Sequence, residues 1–203
     1  SIGGLVALPP VIFATVGKGD RAAVETALLT QLRLTHRSQK LERYAQAFGE
    51  LLVGLLQEAA VPVESLVCAT AERLGFPAAT VIERIRRNRL SDLDVIGRLL
   101  SPACYIDQSL PAVLYLAARY ADDFEAALIA NTHVGGDNCH RGAVLGAILG
   151  TALDAQAMDH LAFAIHQRAD GQTVEKQLAI LAVVTQGDHA RFLPPCPNQW
   201  QRS

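Results

Sequence analysis

Residues 40–60, KLERYAQAFGELLVGLLQEAA, constrain the fold more than any other stretch of the chain. Leu41, Tyr44, Ala45, Phe48, Leu51, Leu52 and Leu55 recur at steps of three and four, while Glu42, Arg43, Gln46, Glu50 and Gln57 fall mostly opposite. That period gathers the apolar groups on one face of an α-helix and would scatter them over both faces of a strand. No apolar–polar alternation bounded by turn residues occurs anywhere in the chain, so no strand is expected to cover that face. Half of the residues are hydrophobic but only 5% are aromatic, so the core must be built of Leu, Ala, Val and Ile. That mixture favours packed helices. The 203 residues suffice for a sizeable core, and the expectation is one all-α domain over 1–203.

The remaining pattern divides into shorter helices. One starts at Asp20, a capping residue, with Val24, Ala27, Leu28, Gln31 and Leu32 at helical spacing. Pro62 ends the long helix. Further helices are expected over 64–74, 78–88, 91–100 (capped by Ser91), 108–119 (Pro111 in its first turn), 123–132, 140–153, 158–168 and 173–186. Gly3-Gly4 and Pro9-Pro10 make the opening read as extended or irregular, and 187–203 reads as a Pro-rich surface tail.

Charge and composition exclude several functions. The net charge is −2, and the local ERIRRNR at 83–89 reads as the wet face of a helix, so no nucleic-acid partner is expected. No segment is long and apolar enough to span a bilayer, and residues 1–17 lack a basic lead for a signal peptide. Cys68, Cys104, Cys139 and Cys196 show no CxxC spacing and read as free thiols of a reducing compartment, the cytoplasm.

The chemistry concentrates in NTHVGGDNCHRGAVLGAILG, 131–150, where His133, Asp137, Cys139, His140 and Arg141 crowd together ahead of an apolar helix. Gly135-Gly136 permit a turn closed to other residues. The polar side chains after that turn stand at a helix N-terminus, where free N–H groups suit an anion or a hydroxyl-rich ligand. Asp137 and His140 are spaced to be two ligands of a cation, though two alone make a poor site. Cys139 beside His140 is placed to be an activated thiol. The plain alternative is that Asp137 or Asn138 caps the helix, Arg141 is surface and Cys139 is core. Gly142, Gly146 and Gly150 recur every fourth residue. Each costs roughly 1 kcal/mol against Ala, which implies that another backbone packs very close to this helix.

DDFEAALIANTHVGGDNCHRGAVLGAILGTAL resembles the late signature of the ADP-ribosylglycohydrolase family: an Ala-rich helix, a Gly-Gly-Asp-Thr-Asp-Thr loop, then a helix of small residues. SIGGLVALPPVI is similar to the family's Gly-Gly segment near the ligand's phosphates and ribose. LTHRS is similar to its Thr-His segment, and SPACYIDQSLPAVLYLAARY to the helix before the loop. The resemblance implies an orthogonal multi-helix bundle and cleavage of an ADP-ribosyl or related glycosidic bond. It implies an ADP-ribosylated or nucleotide-sugar small molecule as partner and a divalent metal, magnesium, as cofactor. Asp137 falls on a metal-binding aspartate, His36 on the cleft histidine, and Gly3 and Gly4 on the Gly-Gly pair. Gly135, Gly136, Asn138 and Arg141 fall on the ligand-facing loop, with Arg141 expected on a phosphate. Asp137 and His140 are the expected catalytic pair.

The departures are specific. Asn138, Cys139 and His140 stand where the family has Thr, Asp and Thr, and Ala7 replaces an expected Arg. Cys139 and His140 are wrong ligands for a hard cation, whereas a softer ion such as zinc or iron would tolerate them, so the expected metal site is a non-classical one. No Thr-Asp-Asp-Thr segment occurs, and its place in the family's order would lie before Ser1. The chain therefore reads as the C-terminal two thirds of a larger domain. The loop resembles a divergent branch carrying Gly-Gly-Asp-Asn-x-His-Arg-Gly, where His140 and Arg141 are working residues. A catalytically inactive member that binds a nucleotide or serves as a structural protein is the competing expectation.

Overall fold

Three adjacent apolar helices settle the architecture, and everything near the polar loop is hung on them. The computed structural model describes residues 1–17, 21–57, 61–77, 82–83, 87 and 90–153. The chain divides after Ala152, and the first unit, Ser1–Ala152, holds every element named here. A 3-10 turn, Ile2–Leu5, leads into α1 (Pro9–Val16), α2 (Arg21–Thr35), α3 (Gln39–Gln57) and α4 (Val63–Arg73). Then come α5 (Asp92–Asp94), running into a π turn over Val95–Leu99, α6 (Ile106–Arg119), α7 (Phe124–Val134) and α8 (Asn138–Ala152). Among the described residues there is no strand, and no helix is long and apolar enough to cross a membrane. The fold is all-α.

α8 is the inner helix, packing on α3, α6, α7 and the opening turn. Its Val144, Leu145, Ile148 and Leu149 are wholly buried, as are Phe48 and Leu52 of α3 and Leu110, Val113 and Leu114 of α6. All seven apolar residues read from the long amphipathic stretch are buried on α3. Val24, Leu28 and Leu32 of α2 close the next layer.

The opening corrects an expectation. It is not extended: Ile2–Leu5 is a helical turn, and Pro9 and Pro10 begin α1. At the first positions of a helix the N–H that proline lacks has no partner in any case, and its fixed φ suits the helix. Ile2, Leu5, Leu8 and Ile12 then bury completely. α6 begins at Ile106 rather than 108, which leaves Pro111 inside the helix instead of in its first turn. Two glycines of the α8 stripe, Gly142 and Gly146, meet side chains rather than a backbone. A methyl on Gly142 would stand 3.2 Å from Asn131 Nδ2, and one on Gly146 would stand 3.8 Å from the Phe124 ring. The helices expected over 158–168 and 173–186, the tail 187–203, the Asp20 cap and most of 78–88 lie outside the described residues.

α5 is fastened to the end of α6 by one carboxylate. The Tyr115 hydroxyl donates to Asp92 Oδ1 at 2.7 Å, and the Tyr120 hydroxyl donates to Oδ2 at 2.7 Å. The Arg119 guanidinium lies 3.1 Å from Oδ1 and over both tyrosine rings. Burial, then the bond to Asp92, pushes both phenols above the ordinary tyrosine value of 10.0. A group whose pKa is raised on folding adds stability below its unfolded value and loses it as pH climbs past that value. Thermal unfolding followed against pH should therefore show stability dropping above pH 10.0, and the double variant Tyr115→Phe/Tyr120→Phe should flatten that drop.

Between α7 and α8 the chain turns on Gly135, φ 72°, and Gly136, φ 65°. A Cβ on Gly136 would lie 2.2 Å from the Pro102 carbonyl oxygen, and that same oxygen accepts from Asp137 N at 2.9 Å. Backbone thus lies on backbone here, with no flexible side chain to yield. Gly136→Ala should lower the unfolding free energy by more than about 2 kcal/mol in a denaturant titration, from left-handed strain and steric overlap together.

Candidate functional site

Asp137, just ahead of α8, and His140, in its first turn, face each other. Asp137 Oδ1 and His140 Nδ1 are 2.7 Å apart, one helical turn along the chain. An ionised carboxylate only accepts, so the contact calls for the proton on Nδ1; in the neutral ring Nε2 is then the lone-pair nitrogen. The His140 side chain is 53% exposed and that of Asp137 18%, so the imidazole stands in solvent on a mostly buried anchor. The carboxylate is turned to the imidazole, while the Asp137 carbonyl accepts from Arg141 N at 3.2 Å. Asp137 Oδ2 is buried with no hydrogen-bond partner.

Two other segments border this pair. A methyl on Gly3 would lie 3.5 Å from His140 Nε2, so the opening turn stands directly against the free nitrogen. A methyl on Gly4 would lie 3.2 Å from His36 Cγ and 2.8 Å from Leu41 Cδ2, so the end of α2 backs the same turn. His36 is half-buried, and its Nδ1 lies 2.8 Å from Thr35 Oγ1. Gly3 thus meets His140, and its neighbour Gly4 meets His36, although Gly3 and His140 are far apart in the chain.

Arg141 does not join them. It is wholly buried, and its guanidinium faces inward. Nε donates to Asn131 Oδ1 at 3.0 Å, Nη1 to the Pro102 carbonyl at 2.8 Å, and Nη2 to the carbonyls of Gly135 at 2.6 Å and Asn131 at 3.4 Å. Burial pushes its pKa down, opposed by the charge of Asp137. These bonds leave it no face for a ligand phosphate, contrary to the reading of Arg141 as substrate-binding; its partners are mostly carbonyls, which leave no trace in a sequence. Asn131, on the buried side of α7, was not singled out from the sequence. Besides holding Arg141 it donates from Nδ2 to the Asn138 carbonyl at 2.8 Å. A lone amide in the apolar run ALIAN was the available signal.

Asn138 is half-buried, and its Oδ1 lies 3.6 Å from the exposed Cys139 Sγ. The donor set does not fit a two-cation oxygen centre. Hard cations take six or more oxygens. The loop offers one carboxylate, with one oxygen engaged by His140 and the other closed to solvent. Among the described residues no three His, Cys, Asp or Glu side chains converge.

A sequence profile of the ADP-ribosylglycohydrolase family matches residues 1–190. No curated protein and no solved structure matched the chain. With the profile spanning nearly the whole sequence, and with an all-helical fold beneath the loop that first resembled that family, the chain belongs to the ADP-ribosylglycohydrolase family.

Proposed function

We propose that this protein hydrolyses an ADP-ribosyl or related glycosidic bond of an ADP-ribosylated or nucleotide-sugar small molecule, with His140 as general base. Family membership supports hydrolysis in general. The observation that carries the finer reading is the 2.7 Å bond from His140 Nδ1 to Asp137. In this reading it sets the tautomer and leaves Nε2, beside Gly3, as the basic nitrogen. In this reading the sugar lies along the Gly3-Gly4 turn, near His36 and the Gly135-Gly136-Asn138 backbone. The glycosidic bond breaks with its electron pair leaving on the departing group, through an oxocarbenium-like state. Nε2 takes a proton from water as the water oxygen bonds to C1 of the sugar. The resulting imidazolium is steadied by Asp137, as an acid steadies the histidine of a hydrolytic triad. No step is routed through magnesium, because the donors of the described residues do not compose its site.

Activity on a panel of ADP-ribosyl substrates tests this. His140→Ala should cut turnover by about 100-fold or more, the usual contribution of a positioned base, and Asp137→Asn should cut it comparably by reversing the tautomer. A chelator should leave wild-type turnover within about twofold, on the scale where a lost base costs about 100-fold. Turnover that vanishes with chelator and returns with Mg²⁺ would replace the imidazole base by a metal centre. No turnover, together with thermal stabilisation by ADP-ribose, would favour a non-catalytic nucleotide-binding member.

Gly3→Ala offers a second check. The added methyl would lie 3.4 Å from Ser1 Oγ and 3.5 Å from His140 Nε2, ordinary contact distances that the fold tolerates. It would occupy the place of a water on Nε2. Turnover should fall at least about tenfold, roughly 1.4 kcal/mol of barrier, while the melting temperature stays close to that of the unaltered chain.

A further inference from the structure

We infer that Arg141 is a positioning residue: acting through the Pro102 carbonyl and the loop behind it, its buried guanidinium sets the gap between the His140 imidazole and the Gly3-Gly4 turn. The inference rests on the reading of that gap as the reaction site. A path of bonds connects the two sides. Arg141 Nη1 donates to the Pro102 carbonyl at 2.8 Å, and Asp137 N donates to the same oxygen at 2.9 Å. Two residues on, the Cys104 carbonyl accepts from Ile2 N at 2.9 Å, which pins the opening turn. Gly3 then stands against His140 Nε2. Residues 102–104 are therefore a strut between the Asp137 loop and the opposite wall, and Arg141 holds its near end.

Stability alone is a weak reason for a charge in this place. Arg141 is fully buried, and desolvation offsets much of what its partners return. A planar fork contributes geometry instead. It reaches Asn131, Pro102 and Gly135 at once, from α7, from the strut and from the glycine turn. Lysine keeps the charge but has one nitrogen and cannot span those acceptors together. Asn131 completes the fixture by holding the Asn138 carbonyl, the first residue of α8.

The test uses Arg141→Lys and Asn131→Ala in the full chain, read by amide and imidazole NMR and by kinetics. In Arg141→Lys the amide signals of Ile2, Gly3 and Gly4, none of which is hydrogen-bonded to residue 141, should shift together with the ring signals of its chain neighbour His140. The kcat should fall at least tenfold while KM changes less than threefold. Val67→Ala, a cavity in α4 away from the loop, should lower the melting temperature and leave kcat and those signals alone. Should Arg141→Lys fail to fold, Asn131→Ala, which removes only the Nε acceptor and the Asn138 tether, must shift the same signals. Unmoved Gly3 and Gly4 signals in a folded variant, or a Val67→Ala effect on kcat equal to that of Arg141→Lys, would overturn the inference. The NMR shifts need no turnover, so an inactive wild type would defeat the proposed reaction while the coupling stood or fell by itself.

Discussion

One carbonyl oxygen organises the chemistry-bearing end of this molecule. The Pro102 oxygen accepts from the Asp137 amide and the Arg141 guanidinium, and it sits where Gly136 has no side chain. Remove the glycine and the loop cannot close on it; remove the arginine and the oxygen loses its strongest donor. The buried apolar rod of α8 would survive either change as a helix. On the inference drawn above its aim would not survive, because the Asp137 amide just ahead of α8 and Arg141 in its first turn both hold this oxygen. Buried polar networks of this kind are costly when half-satisfied and rigid when complete. Here the carbonyls of Pro102, Gly135 and Asn131 all accept from the one guanidinium.

The proposed function is a change of chemistry within a family fold. Where the family resemblance leads one to expect Thr, Asp and Thr after the first aspartate, this loop has Asn138, Cys139 and His140. In place of that run the loop presents an acid–imidazole pair, Asp137 and His140. The pair is coherent in its own right: a carboxylate mostly buried in the protein, a ring half in solvent, and Gly3 against its Nε2. The proposed base mechanism uses those features and no others.

How much of this the sequence carried depends on the kind of contact. α3 was legible because its apolar period is long and uninterrupted, and it buries the expected face. Asp137 and His140 were legible as neighbours because three residues is nearly one helical turn. The opening was misread because Gly and Pro are breakers in most contexts, whereas here Pro9 and Pro10 occupy the two helical positions that need no N–H. Of the glycine stripe on α8, Gly142 marks a close approach, but by the Asn131 side chain and not by a backbone, and Gly146 has the Phe124 ring at an ordinary contact distance. Arg141 was the least legible. A guanidinium at a helix start reads as surface or as a phosphate ligand, and nothing in a one-dimensional string reveals that backbone carbonyls from two other segments converge on it.

The proposed reaction stands on Asp137 fixing His140 with its proton on Nδ1 and its Nε2 free for the reacting water. Long-range proton–nitrogen NMR of the imidazole, recorded with and without ADP-ribose, measures this directly. The expected result is a protonated Nδ1 whose proton is lost in Asp137→Asn, and an Nε2 resonance that moves when ADP-ribose is added. A proton residing on Nε2, or a ring indifferent to both the carboxylate and the nucleotide, would contradict it.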